Sequence, residues 1–600
     1  MKYIPQERME SIRKRLVRLY GERAADLLER LRSIIGRYGV GHDVMPTTDW
    51  WNEKDIVLIT YADMVQHKDE RPLATLRRFL DERLKGAFKT VHILPFTTWS
   101  SDDGFSVIDY REVAPEYGRW EDIEALGSGF QLMFDLVLNH CSSKSPWFQD
   151  FVSGIEPASK YFIETDPSED LSAVTRPRPW PLLTKVERLQ GDTHVWTTFS
   201  EDQVDLNWRN PDLLFEFIDI LFLYLSKGMS IVRLDAVAFL WKEIGTSCIH
   251  LPETHEVVKL LRDIIGLVAP QAVILTETNV PHEENISYLG HGDEAHMVYQ
   301  FSLPPLLLYS LLKGDCQYMR QWAQDLPAPA EQTTFFNFTA SHDGIGIRPL
   351  QGLVPDGELN WLIQEVRRRE GFVSTRRLAD GSESPYELNI SYSSALSIAD
   401  DATLGFRRFL CSQAVAVSMR GVPGVYFHSL TATLNDLYGV QVQGHQRAVN
   451  RKKWVESELL QLLDDPNSQN NFVFHAMTTL LRRRASHLAF HPDADQNVID
   501  FGNELFAFTR ESLDSSQRIL CLFNMTAEKV PIDLELIQEV LAWNPKRHSR
   551  LRNLLAGFGM AQQGHTCLLL PYQASWLAYD LNSVSQPTHI LDAGKDVIGV

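Results

Sequence analysis

Eight short β-type runs recur along the chain: "DIVLITYA" (55–62), "TVHILPF" (90–96), "QLMFDLVL" (131–138), "SIVRLDA" (230–236), "AVILTET" (272–278), "HMVYQF" (296–301), "TTFFNFTA" (333–340) and "PGVYF" (423–427). Short apolar, β-branched runs read as buried strands, and strands alternating with helix-length stretches read as parallel βαβ units. Eight of them, spread over more than the typical ~250 residues, fit an α/β chain folded as a (β/α)8 TIM barrel with insertions better than a six-stranded open sheet. Upstream, Ala24, Leu27, Leu28, Leu31, Ile34, Ile35 and Tyr38 keep helical spacing and predict an amphipathic helix in an N-terminal helical extension. After about residue 490 the pattern becomes alternating, in "ELFAFTR", "RILCLFNMT" and "SWLAYDL", which predicts a small C-terminal β-sandwich.

The predicted organisation is an extension over 1–53, barrel over 54–140, 207–345 and 405–490, and a C-terminal β domain and tail over 491–600. Two segments are too long for simple crossovers. Residues 141–206, carrying "TRPRPWPLL", form an inserted B domain, and residues 346–404 an inserted B′ domain. Both leave the C-terminal ends of strands, the rim where barrel active sites lie.

The chain has 600 residues, 23% charged and 44% hydrophobic, with a formal net charge of −20. That describes a soluble multidomain protein whose field disfavours nucleic acid and anionic membranes, so any anion site must be built from local cations. Six scattered cysteines without a CxxC read as reduced thiols in a cytoplasmic protein. "MKYIPQERMESIRKRL" has no apolar stretch behind its charges, and no apolar run is long enough to span a bilayer. A homodimer is left open, since nothing in the sequence fixes the oligomeric state.

Charge inside the fourth strand calls for a reason. Arg233 and Asp235 lie two apart and so project from one face. An isolated pair of this kind more often fixes strand register than performs chemistry. Glu277 at the end of the fifth strand and Asp343 after the seventh fall on the same rim. A retaining glycosidase needs a carboxylate nucleophile and a carboxylic acid about 5 Å apart across the glycosidic oxygen.

The segments "DLVLNH" (135–140), "VRLDAVAF" (232–239), "LTETNV" (275–280) and "TASHDG" (339–344) resemble the four signature regions of glycoside hydrolase family 13, and "QVDLN" (203–207) resembles its fifth. "LITYAD", "VHILPF", "SSDDGFSVIDY", "RPRP", "GTSCIH" and "FSLPPLLL" narrow the resemblance to the sucrose phosphorylase branch, over roughly residues 55–580. The resemblance implies Asp235 as nucleophile, Glu277 as general acid/base and Asp343 as the carboxylate stabilising the transition state. Arg233 would then hold Asp235 ionised and oriented. Asp102 and Arg447 match residues gripping the far side of a glucose ring, Phe105 an aromatic platform beneath it, and His140 and His342 hydrogen-bonding partners of its hydroxyls.

A phosphorylase must also bind inorganic phosphate, for which guanidinium groups supply matched paired donors. The resemblance assigns Arg178 of "RPRP" to phosphate, with Arg176 on the same loop. The extension, "DGIGIRPLQG" (343–352) and "HSLTATLNDLYGV" (428–440) resemble the glucosylglycerate phosphorylases of this branch. That implies phosphorolysis of an α-glucoside of D-glycerate to glucose 1-phosphate, with Arg348 as a cation for the glycerate carboxylate or as a structural ion pair. Phosphorolysis of sucrose, sucrose 6′-phosphate or glucosylglycerol is the near alternative, and a non-catalytic amylase-like interaction protein the remote one. The chemistry implies no metal and no organic cofactor. Asn139 is a weak hint of a metal and fits better as a residue orienting the end of the third strand.

Overall fold

All eight predicted runs form strands, and they close into one barrel. They are β1 (Val57–Thr60), β2 (Thr90–Ile93), β3 (Gln131–Val137), β4 (Met229–Asp235), β5 (Val273–Thr276), β6 (Met297–Tyr299), β7 (Thr334–Phe338) and β8 (Val422–Tyr426). Each pairs in parallel with its sequence neighbours, and β8 closes on β1. The structure, a computed structural model, describes residues 6–41, 44, 49–378, 381–542, 551–555, 561–563, 565–578 and 591–592.

The strands are apolar on both faces because helices cover the outside and side chains fill the inside, the condition under which parallel sheets persist. The N-terminal extension folds as α1 (Gln6–Tyr20) and α2 (Ala24–Ile34). It lies on the crossover helices flanking β4, namely α3 (Pro211–Ser226) and α4 (Pro252–Val268). Arg15 of α1 is buried and holds Asp263 of α4 at 2.6 Å. Arg30 and Arg37 reach Asp212 and Asp219 of α3 at 2.5 Å each. The predicted helical stripe stops short of its expected end. Gly36 takes a left-handed φ of 94°, the chain leaves the helix, and Tyr38 is exposed instead of packed.

After β3 the chain forms two antiparallel pairs, His140–Ser142 with Gln203–Asp205 and Leu183–Val186 with Thr193–Trp196. After β7 it forms a three-stranded sheet of Ile345–Gly346, Glu383–Asn389 and Phe372–Arg377. The C-terminal strands build a six-stranded and a three-stranded sheet. Alternation divides their burial: Leu505 and Ala507 join a core of their own, whereas Phe506 and Phe508 join the barrel's core. The run "SWLAYDL" is described as far as Ala578; residues 579–590 and 593–600 of the tail, and 1–5, 42–43 and 45–48 of the extension, lie outside the described residues.

Candidate active site

Register explains how β4 tolerates charge. Arg233 pairs directly with Asp135 of β3 across the parallel ladder, and Asp235 shares the face of Arg233. Arg233 Nη1 donates to Asp135 Oδ1 and, at 2.6 Å, to Asp235 Oδ1. His92 of β2 supplies a ring nitrogen 2.6 Å from the other Asp135 oxygen. The result is a line of polar contacts across three strands, with Arg233 only 2% exposed.

The residue after Asp235, Ala236, has a left-handed φ of 53°, a conformation costing a non-glycine residue about 1–2 kcal/mol. That turn points its N–H at Glu277 Oε2, 3.2 Å away, and brings the carboxyl at the end of β5 to the end of β4. Asp343 follows β7 and is held by Arg447 at 2.6 Å, with His342 Nε2 at 3.4 Å and Arg451 at 3.9 Å.

The three carboxyls are tuned in opposite directions. Burial would raise Asp343, but Arg447, His342, Arg451 and Arg233 together hold it far below the usual carboxylate range. Asp235 and Glu277 both lie above that range. Burial is the largest cause for each; Arg233 opposes it, and neighbouring carboxylates reinforce it. The partners of the Arg233 contact therefore move unequally: the guanidinium is raised as a paired cation should be, while Asp235 is raised despite the pair. Interacting buried carboxyls titrate as a pair, and a proton they hold goes to the one with less cationic support. The 2.6 Å contact with a permanent cation puts the negative charge on Asp235 and leaves the proton to Glu277.

These groups line a pocket with about 730 Å³ of empty space, its open mouth included. Asp102, Phe105, His140, Arg178, His342 and Arg447 line it too. Phe105 stacks on His342 with 4.7 Å between ring centroids. Burial lowers His140 to about 4 and His342 to about 3, so both imidazoles are neutral at pH 7. Asp102 is held by Arg451 at 3.3 Å. A second pocket of about 630 Å³, around Leu410, Cys411, Ala414 and Leu480, has no carboxylate in its wall and offers no such chemistry.

Two predicted arginines fall outside this wall. Arg176 turns back to donate to the Trp180 carbonyl, and Arg348 is buried, its Nε without a hydrogen-bond partner and its guanidinium in no ion pair among the described residues. Asn139 accepts from Lys242, whose Nζ also lies 2.7 Å from Asp205. The chain's own ammonium thus holds the end of β3.

Residues 85–343 match the family model described as the alpha amylase catalytic domain. A glucosylglycerate phosphorylase from Spirochaeta thermophila is 49% identical over 79% of this chain and 80% of its own length. The chain belongs to the glycoside phosphorylases of the α-amylase family. Another family member, a glucosylglycerate phosphorylase from Escherichia coli, is 45% identical over 88% of this chain and 92% of its own length. Among solved structures, a sucrose 6F-phosphate phosphorylase from Thermoanaerobacter thermosaccharolyticum superposes with a TM-score of 0.68 at 26% identity, covering 79% of this chain and 94% of that one.

In this phosphorylase several site residues escaped sequence reasoning. Asp135 and His92 stood inside quoted strand segments, and their signal was the one that singled out Arg233: charge or imidazole in an apolar run. Glu387, 0% exposed, accepts from Gly344 N at 2.7 Å and from Arg447 Nη2 at 3.0 Å. It also lies 3.9 Å from Arg178. Gln203, Tyr386 and Arg451 complete the wall and its support. Nothing local in "PYELN" marks Glu387 or Tyr386, because they belong to the segment inserted after β7.

Proposed function

We propose that this protein catalyses the reversible phosphorolysis of 2-O-α-D-glucosyl-D-glycerate to α-D-glucose 1-phosphate and D-glycerate. Asp235 attacks the anomeric carbon while Glu277 delivers its proton to the departing glycerate oxygen, leaving a β-glucosyl ester on Asp235. A phosphate oxygen then attacks the same carbon, Glu277 takes the proton that phosphate loses, and the ester bond to Asp235 breaks. Two inversions give net retention.

Asp343 carries its negative charge through both steps, where it stabilises an oxocarbenium-like transition state. Asp102 and Arg447 hold the glucose hydroxyls, Phe105 lies against the ring, and the neutral His140 and His342 exchange hydrogen bonds with it. Arg178, on the loop it shares with Arg176, takes the phosphate, and Arg348 serves the glycerate carboxylate. The six cysteines are free and buried, which fits a reducing compartment, and we place the protein in the cytoplasm.

The observation that carries this reading is the guanidinium of Arg178 in the same pocket as the three carboxyls, since a hydrolase has no need of a cation for the second nucleophile. The test is release of glucose 1-phosphate from α-glucosides of glycerate, glycerol, fructose and fructose 6-phosphate at fixed phosphate. Glucosylglycerate should lead the others by about tenfold or more, the worth of one charge-assisted contact. A substrate without the carboxylate that serves equally well would overturn the acceptor assignment, and no glucose 1-phosphate from any of them would overturn the phosphorylase itself.

A further inference from the structure

In the sheet inserted after β7, the strand Phe372–Arg377 carries Arg376, which lies within the field of Arg348. Arg376 stands opposite Ser384 in the antiparallel pair, two residues before Tyr386, and the register slips between Ser374 and Thr375, so that Tyr386 is the extra residue of a bulge. Diagonal neighbours on such a pair are within reach of a long side chain. Tyr386 lines the catalytic pocket, and Arg178 lies over its ring at 5.4 Å. On its other side the Tyr386 carbonyl accepts from Ile347 N at 3.1 Å, which sets Arg348, the next residue, beside the same tyrosine.

Arg348, at the start of the 3₁₀ turn Arg348–Leu350, and Arg376, in the strand Phe372–Arg377, therefore approach Tyr386 from two elements. Each has a buried Nε without a hydrogen-bond partner, and among the described residues neither makes an ion pair. Glu284, the carboxylate whose field reaches Arg376, is 3.1 Å from His250 Nε2. Burial, and after it the field of Arg348, lowers Arg376 from its ordinary value. Arg348 is buried and Arg376 half-buried, and two neighbouring guanidiniums without a counter-ion among the described residues are costly together, a cost that an incoming anion lowers.

We infer that Arg376 joins Arg348 in binding the carboxylate of a small hydroxy-acid acceptor, and that this pair selects the acid over the corresponding neutral polyol. Neither arginine is in the pocket wall itself. On this assignment the acceptor's carboxylate lies on the far side of Tyr386 from its attacking hydroxyl, which separates it from the phosphate assigned to Arg178. This inference rests on the phosphorylase reading above and names the device behind its acceptor preference.

The test runs the reaction from glucose 1-phosphate with D-glycerate or glycerol as acceptor, two molecules that differ by a carboxylate. In Arg376→Gln the ratio of kcat/KM for glycerate to that for glycerol should fall about tenfold to a hundredfold, the worth of a charge-assisted contact. Most of the change should lie in the KM for glycerate. Arg376→Lys, which keeps the charge without the planar fork, should fall between wild type and Arg376→Gln. A ratio equal to wild type in both variants, or equal losses for the two acceptors, would overturn the role of Arg376 and leave the phosphorylase reading standing. A wild-type enzyme with no preference for glycerate would instead remove that reading and this inference with it.

Discussion

The arginines that hold the site's carboxylates and those proposed to receive substrate anions are handled differently. Arg233 is bound by Asp135 and Asp235, Arg447 by Asp343 and Glu387, and Arg451 by Asp102 and Asp103. In the outer, second set, Arg178 has one carboxylate at 3.9 Å, and Arg348 and Arg376 have none within ion-pair distance among the described residues. In a chain of net charge −20, cations without partners are not a by-product of composition. In the proposed mechanism the first, inner set fixes charge for covalent chemistry, where a carboxylate must stay ionised and oriented. The outer set leaves charge unspent, and on the proposed function anions brought by the substrates complete it.

The comparison breaks most visibly at its inner end. Asp235→Ala removes the attacking oxygen, and phosphorolysis should fall on the order of 10⁴-fold or more while the protein stays folded. Near-normal turnover by a folded variant would end the double-displacement account. Glu277→Gln should cost natural glucosides about 10²–10⁴-fold and α-glucosyl fluoride far less, because fluoride needs little acid assistance to leave. The pH profile sharpens the same point. With Asp235 and Glu277 both above the ordinary carboxylate range, kcat should be lost toward acid as Asp235 gains a proton and toward alkali as Glu277 loses its own. The alkaline limb should vanish for α-glucosyl fluoride in Glu277→Gln, and its persistence would place that proton elsewhere.

The barrel was legible because its strands are short apolar runs, and each of the eight formed where the pattern put it. Asp235, Glu277 and Asp343 were legible because they stand at strand ends within recognisable segments. Arg451 and Glu387 were not, since each acts through distant partners: Arg451 on Asp102 and Asp103, some 350 positions earlier in the chain, and Glu387 on Arg447. Contacts of that span leave no local spacing to read. Tyr38 failed for the opposite reason. Its spacing was right, but a left-handed glycine two residues before it ended the helix.

The division between paired and unspent arginines is tested most directly at Arg178. If its guanidinium serves phosphate in the second half-reaction, Arg178→Ala should leave formation of the glucosyl enzyme largely intact and let water compete for it. The measurement is the ratio of free glucose to glucose 1-phosphate at fixed phosphate concentration. Loss of a charge-assisted contact worth about 1.5–3 kcal/mol predicts a phosphate KM raised roughly ten- to a hundredfold, with the product ratio shifting toward glucose. An unchanged ratio and unchanged phosphate dependence would contradict the claim that the outer arginines exist to receive substrate anions.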